Sequence, residues 1–363
     1  MDLIFLASIW PAPFWWFACG WLFVFGACVG SFLNVVIYRL PAGLSLLYPG
    51  SRCPTCLAPI RATDNVPIFG WLRLAGRCRS CRAKISPRYP AVELAVAASF
   101  AFLAALGPLS DGANLPSSAT EVLPVGLDDE VLWAVYGYHM TLVCGLLCAS
   151  LIEYDGHRLP WRLNLPLVLV AVAVPLFWPE VRPVACQWPA DLPEWLQPQD
   201  AAIEDGVAGL AVALLLACAA FPSKALSSTA LSTTGRGPVG RFDWRSAMSV
   251  LVWIGLYLGW QATSALAVLA AATQFAGVVV ERIRHKSRQF GWNGCFAMWT
   301  ILWLVAWKQI VGWFPFVGEQ ASGSTFFVSF GATAALSWMT WKLAGRAGDR
   351  RGSGGHSPLT THH

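Results

Sequence analysis

The chain has 363 residues, of which 56% are hydrophobic and only 12% are charged, and its mean hydropathy is +0.53. This composition excludes an ordinary soluble domain and predicts an all-α polytopic membrane protein with about eight to nine transmembrane helices. The formal net charge is +5, and its basic residues cluster in loops between apolar segments. Cytoplasmic loops of membrane proteins collect such residues, so we expect no nucleic-acid partner.

Nine apolar segments each approach the roughly 20 residues that a helix needs to cross hydrocarbon. In chain order they lie near residues 14–38, 91–107, 131–152, 163–178, 206–221, 247–260, 262–280, 295–313 and 326–343. The first segment lacks a basic n-region and a small-residue cleavage site, so it is predicted to be a retained helix rather than a removable signal peptide. Fixed-period repeats and nucleotide-binding motifs are absent from the sequence.

The charges of the loops predict the orientation of the chain. Eight basic residues fall between residues 52 and 88, and four more fall between residues 282 and 288. The loops at 111–130 and 180–205 are acidic instead. Because basic loops remain in the cytoplasm, we expect the N-terminus outside and the C-terminus inside.

The first basic loop carries two C-x-x-C pairs, whose members are Cys53, Cys56, Cys78 and Cys81. Four thiolates on the reducing side of a membrane are typical of a zinc site. Four sulfur ligands fill the coordination sphere, so such a zinc ion would be structural. Unligated thiols and transient redox pairs are the alternatives. Six further cysteines lie in apolar segments and are predicted to be packing residues, whereas Cys186 stands alone in an outer loop.

Two sequence blocks flank this loop. The block before it is Gly30-Ser-Phe-Leu-Asn-Val-Val-Ile-Tyr-Arg-Leu-Pro41, and the block after it is Ile85-Ser-Pro-Arg-Tyr-Pro-Ala-Val-Glu-Leu94. In this order they resemble bacterial type IV prepilin peptidases, and the resemblance extends from Gly26 to about Trp313. It implies an inner-membrane aspartic endopeptidase that cuts the leader from prepilin or type II secretion pseudopilin precursors at the cytoplasmic face. It also implies methylation of the new N-terminus by S-adenosylmethionine.

In the family, five residues separate the first catalytic aspartate from a Leu-Pro or Ile-Pro pair, and this register gives Glu153 before Leu159-Pro160. Glutamate keeps the acid but adds a methylene group, and a displacement of about 1 Å can cost roughly a hundredfold in rate. Asp155 is the alternative, although residues two apart on a helix point in different directions.

The second family aspartate lies in Gly-x-Gly-Asp followed closely by Lys, and this chain has Gly240-Arg-Phe-Asp243-Trp-Arg245. The resemblance therefore assigns Asp243 as the second catalytic residue, with Phe242 in place of a glycine. Arg245 keeps the positive charge of the family's lysine or is an ordinary cytoplasmic flank. Two neighbouring carboxylates can share one proton, so that one acts as base and the other as acid in peptide hydrolysis.

These features divide the chain into five predicted parts. Residues 1–41 are a first transmembrane helix, 42–90 a cytoplasmic zinc-knuckle domain, 91–314 a membrane-embedded peptidase-like domain, 315–345 an additional helix and 346–363 a disordered tail. Glu93, at the boundary between the zinc-knuckle domain and the membrane, is either associated with the methylating half or an interfacial solvated carboxylate.

Other functions fit parts of the pattern. The two motif substitutions favour a peptidase-inactive homologue that serves as a pilin-binding assembly factor or as a methyltransferase only. A transporter is the third hypothesis, although charges deep in the spans are few, with Lys308 the main case. The predicted partners are a prepilin-like precursor and membrane lipid, and the oligomeric state is not determined by these residues.

Overall fold

The computed structural model describes residues 12–115, 129–182, 201–220, 244–284, 291–313, 328–340 and 342. Within these ranges the chain is mainly helical, and its only β-structure is two isolated bridges. The α-helices are α1 (Ala12–Arg39), α2 (Phe69–Arg73), α3 (Arg88–Leu106), α4 (Asp129–Tyr154), α5 (Trp161–Phe177), α6 (Ala201–Ala220), α7 (Trp244–Arg284), α8 (Trp292–Val305), α9 (Trp307–Trp313) and α10 (328–340).

Several of these helices are long and apolar enough to cross a membrane. The long segments are Pro13–Arg39, Arg88–Ser110, Asp129–Tyr154 and Arg245–Val280, and the shorter apolar helices are Trp161–Phe177, Gly206–Cys218 and Trp292–Val305. The predicted all-α, multi-pass membrane fold is therefore confirmed. A small loop domain follows the first helix, as the cysteine spacing predicts.

The helix boundaries can be compared with the predicted spans in two places. The segment labelled α7 is interrupted at Gly259, where φ is 77° and ψ is −178°, so it consists of two helical parts that match the predicted spans at 247–260 and 262–280. The predicted span at 295–313 is divided between α8 and α9. Hydropathy could not reveal this division, because the residues on both sides of it are apolar.

Helices α1 and α3 pack with their backbones in contact. A Cβ atom at Gly26 would lie 2.9 Å from the Cα atom of Ala97, and one at Gly30 would lie 2.8 Å from the Cα atom of Glu93. Two glycines four residues apart thus form a flat strip that admits the other helix, as in many membrane helix pairs. This contact holds together the two ends of the loop that carries the cysteine pairs.

Helix α4 lies at the centre of the described helices. Its residues Leu142, Leu146, Ala149 and Ile152 are fully buried. Around it lie α3, α5, α7 and α8, while α6 packs closely on α7 through Gly209 and Gly255, where any side chain would overlap the opposite backbone. The buried face of α4 therefore decides where its C-terminal turn lies relative to the neighbouring helices.

A buried arginine binds carbonyl oxygens of both α5 and α7. The Arg182 guanidinium donates hydrogen bonds to the carbonyl oxygens of Leu256 at 2.7 Å and Ala171 at 3.1 Å, and the Tyr138 hydroxyl lies within hydrogen-bond distance of the same two oxygens. Pro175 lacks the N–H that the Ala171 carbonyl would otherwise accept. The Leu256 carbonyl lies three residues before the bend at Gly259. Both carbonyls thus obtain partners from outside their own helix.

We predict that Arg182→Leu lowers the free energy of unfolding by about 2 kcal/mol or more, because hydrogen bonds to buried carbonyl oxygens are lost. Thermal unfolding of the purified protein in detergent micelles would measure this change. Arg162→Leu, at an exposed position on α5, is the control. Equal midpoints for both variants would contradict the prediction.

Candidate functional site

The four-cysteine loop, residues 40–87 between α1 and α3, contains two knuckles with the same backbone geometry. The Cys53 N–H donates to the Ala58 carbonyl at 3.0 Å, and the Cys78 N–H donates to the Ala83 carbonyl at 2.8 Å. Each knuckle ends in a residue with positive φ, and each is closed by an isolated bridge. The repeated geometry turns the two cysteines of each pair toward the same point.

The four sulfurs lie together as the spacing predicts. All are within 4.8 Å of one another, with 3.8 Å between the Sγ atoms of Cys53 and Cys81 and 4.0 Å between those of Cys56 and Cys78. A tetrahedral zinc ion with bonds of about 2.3 Å needs sulfurs about 3.8 Å apart. The donor set and its dimensions therefore fit a metal ion of the zinc type.

The protonation of these thiols depends on the backbone around them. Hydrogen bonds from the N–H groups of Cys56 and Thr55 lower the pKa of Cys53 to about 6. The N–H groups of Cys81 and Ser80 likewise lower the pKa of Cys78. For Cys81 the N–H of Ala83 acts in the same direction, but desolvation and the neighbouring sulfurs together raise the pKa to about 11. The knuckles thus favour thiolates at two positions, as metal binding requires.

Asp64 connects the second knuckle to α2. Its carboxylate accepts hydrogen bonds from Arg79 at 2.6 and 2.7 Å and from Arg73 at 2.5 Å, and its side chain is only 4% exposed. The Arg79 hydrogen bond, followed by that from Arg73, holds the pKa of Asp64 well below its usual value. The Arg79 guanidinium is thus paired with Asp64.

Glu93 connects the four-cysteine loop to α3. Its carboxylate accepts a 2.7 Å hydrogen bond from the N–H of Ile68, which has a φ of 62° and directly precedes α2. The residue is 9% exposed, so the interpretation as a solvated interfacial carboxylate is wrong. Glu93 instead holds the start of α2 against the membrane helices.

Glu153 lies in the last turn of α4, against the N-terminus of α8. Its Oε2 atom accepts a 2.9 Å hydrogen bond from the N–H of Asn293. A Cβ atom on Gly291 would overlap the Glu153 carboxylate. The carboxylate therefore rests against the glycine backbone and caps one of the N–H groups that a helix N-terminus leaves without an internal partner.

Asp155 has a different environment from Glu153. Its carboxylate forms a bidentate ion pair with Arg88, the first residue of α3, with 2.8 Å between Nη2 and Oδ2 and a close Nη1 to Oδ1 contact. The ring of Tyr154 lies 5.8 Å from the same guanidinium. The charge of Asp155 therefore has a partner on α3.

The structure also brings the segments of the two acidic motifs together. The Leu159 N–H, six residues after Glu153, donates a 3.1 Å hydrogen bond to the Oγ atom of Ser246, three residues after Asp243. Asp243 and Phe242 lie outside the described residues, and α7 begins at the next residue, Trp244. Cys186 and the tail lie outside them as well.

Sequence patterns alone do not reveal the contacts made by Asn293, Ser246 and Arg88. Asn293 and Arg88 are each more than 60 residues from their respective partners, Glu153 and Asp155. The only signal for Asn293 is its position just after Gly291, in the segment that resembles the entry to the family's last common span.

Comparisons with known proteins agree with this arrangement. Residues 24–106 match a family model described as the bacterial peptidase A24 N-terminal domain. A prepilin leader peptidase/N-methyltransferase from Pectobacterium carotovorum is 33% identical over 310 residues, which cover 79% of this chain and 89% of the relative. The chain matches no solved structure.

Two other relatives align over shorter stretches. A prepilin leader peptidase/N-methyltransferase from Klebsiella pneumoniae is 43% identical over 141 residues, covering 34% of this chain and 61% of the relative. A protein from Escherichia coli named "Type 4 prepilin-like proteins leader peptide-processing enzyme" is 31% identical over 208 residues. The alignment covers 52% of this chain and 62% of that relative. The chain thus spans less than two thirds of these two proteins in the alignment. The length and identity of the Pectobacterium match show that the chain belongs to the prepilin leader peptidase/N-methyltransferase family.

Proposed function

We propose that this protein is a membrane aspartic endopeptidase that removes the leader peptide from prepilin-like or pseudopilin precursors. The observation that supports this most directly is the hydrogen bond between Leu159 and Ser246, which joins the segments that follow Glu153 and Asp243 in the sequence. The printed names of its relatives describe the same processing of prepilin leaders.

In the proposed mechanism, Glu153 and Asp243 divide the acid and base roles. The ionised carboxylate removes a proton from a water molecule, whose oxygen attacks the carbonyl carbon of the scissile bond. The protonated carboxylic acid donates its proton to the amide nitrogen as the C–N bond breaks. Asp155 takes no part in this scheme, because Arg88 holds it in an ion pair.

The four-cysteine loop would have a structural role in this enzyme. Cys53, Cys56, Cys78 and Cys81 would hold zinc, and the ion would supply rigidity to the loop without an open position for water. The relative from Pectobacterium is also named as an N-methyltransferase. We propose that this protein likewise transfers a methyl group, from S-adenosylmethionine to the new N-terminus of the substrate. Glu93 would keep this loop in position on α3.

The proposed location is the bacterial inner membrane, with the N-terminus outside, the C-terminus in the cytoplasm and the four-cysteine loop on the cytoplasmic side. The basic residues of the loop and of the end of α7 support this orientation. The apolar helix of the precursor would then lie in the bilayer against exposed apolar side chains of the enzyme.

We predict that Glu153→Ala and Asp243→Ala each lower the rate of leader removal by about a thousandfold, because either change removes one member of the acid and base pair. The measurement is the mass of a prepilin or pseudopilin precursor incubated with purified enzyme. Asp155→Asn is the matched control and should retain the rate to within about tenfold.

Both alanine variants should still methylate a precursor that has already been cleaved, which shows that they are folded. Loss of cleavage in Asp155→Asn, with full activity in Glu153→Ala, would instead assign the first catalytic position to Asp155. Methylation without cleavage by the wild-type protein would support the methyltransferase-only alternative.

We also predict that the purified protein contains about one zinc ion per chain and that Cys56→Ser and Cys78→Ser lose it, because three thiolates hold zinc more weakly than four. Elemental analysis by mass spectrometry measures the stoichiometry. Cys28→Ser, at an exposed position on α1, is the control and should keep its metal. Equal zinc content in all three variants would contradict the assignment.

A further inference from the structure

Several hydrogen bonds join the end of α4 to the start of α8, in addition to the packing between the two helices. The Asn293 N–H donates to Glu153 at 2.9 Å, and the Asn293 carbonyl accepts from the Ser150 hydroxyl at 3.0 Å. The Asn293 side-chain amide donates to the Ala149 carbonyl at 3.5 Å, and the residue is fully buried. Three groups of a single residue on α8 therefore hold the turn of α4 that carries Glu153.

The shape of the same contact depends on Gly291. The Cβ atom of any other residue there would overlap the Glu153 carboxylate and would lie 3.0 Å from its Cγ atom. The backbone φ of Gly291 is −62°, which every residue type can adopt. Conformational freedom is therefore not what this position requires from glycine. A side chain at this position would instead force the Glu153 carboxylate to move away from its place beside α8.

We propose that Gly291 and Asn293 are positioning residues that form a seat for the carboxylate of Glu153, and that this seat fits glutamate better than aspartate. The Asn293 N–H donates to the Oε2 atom at the end of the glutamate side chain. Aspartate is shorter by one carbon, or about 1.5 Å, so its oxygen would leave the hydrogen-bond range of that N–H. The glutamate in the first acidic motif is thus matched to the N-terminus of α8.

This inference depends on the proposed peptidase function for its kinetic readout, so we choose a double-mutant cycle in Glu153 and Gly291. We expect Gly291→Ala to lower kcat for precursor cleavage by about a hundredfold with KM within about threefold, because the carboxylate is displaced while the substrate helix still binds. Glu153→Asp should lower kcat by about tenfold or more. The double variant should be no slower than Gly291→Ala alone, since the shorter side chain partly removes the overlap.

Gly137→Ala is the matched control. Gly137 lies on α4, and a Cβ atom there would meet nothing within 4 Å, so we expect its kcat to stay within about twofold of the wild type. Three results would overturn the proposal: a Gly291→Ala enzyme as active as Gly137→Ala, a Glu153→Asp enzyme as active as the wild type, or single effects that multiply in the double variant.

A second double-mutant cycle tests the seat through thermal stability and needs no measurement of activity. Gly291→Ala should lower the thermal midpoint by about 3 °C or more when Glu153 is present, and by less than about 1 °C in a Glu153→Ala background. Equal shifts in both backgrounds would overturn the proposal. If Gly291→Ala does not fold, the combination with Glu153→Ala should restore folding, and its failure to do so would count against the seat. A wild type without cleavage would refute the proposed function, while the thermal cycle would still decide this inference.

Discussion

Polar contacts at the C-terminal end of α4 hold the candidate site together. Glu153 accepts a hydrogen bond from α8, Asp155 pairs with Arg88 on α3, and the Leu159 N–H donates to Ser246 on α7. A helix end at a membrane surface exposes backbone groups and charges that need partners. Here each partner comes from a different helix, so the same contacts that satisfy these groups also bring together the segments that follow the two acidic motifs.

The last residues of the four-cysteine loop, rather than its cysteines, connect it to this region. Arg88 stands at the end of the loop and the start of α3, and it pairs with a residue only two positions from Glu153. Glu93, further along α3, holds the start of α2. Close contact of the α1 and α3 backbones at Gly26 and Gly30 keeps the ends of the loop together. The loop and the acidic site thus share one structural support.

The substituted motif is best understood through its surroundings. In the sequence alone, Glu153 carries one methylene group more than the aspartate that the family has at this position. In the structure that extra length reaches the N–H of Asn293, and the missing side chain of Gly291 leaves room for the carboxylate. Under the proposed assignment, the glutamate of the first acidic motif is matched to a residue 138 positions away in the sequence, in the segment that resembles the entry to the family's last common span.

The sequence by itself determined the helical membrane class, the four clustered cysteines and the family, because hydropathy, short C-x-x-C spacing and ordered motifs are local features. Only the tertiary structure decided that the predicted span at 295–313 is divided between two helices, that Asp155 is ion-paired and that Glu153 meets α8. These outcomes depend on contacts between residues far apart in the chain. A pattern of residue types cannot specify such contacts, because many partners of the same type were available and packing selected among them.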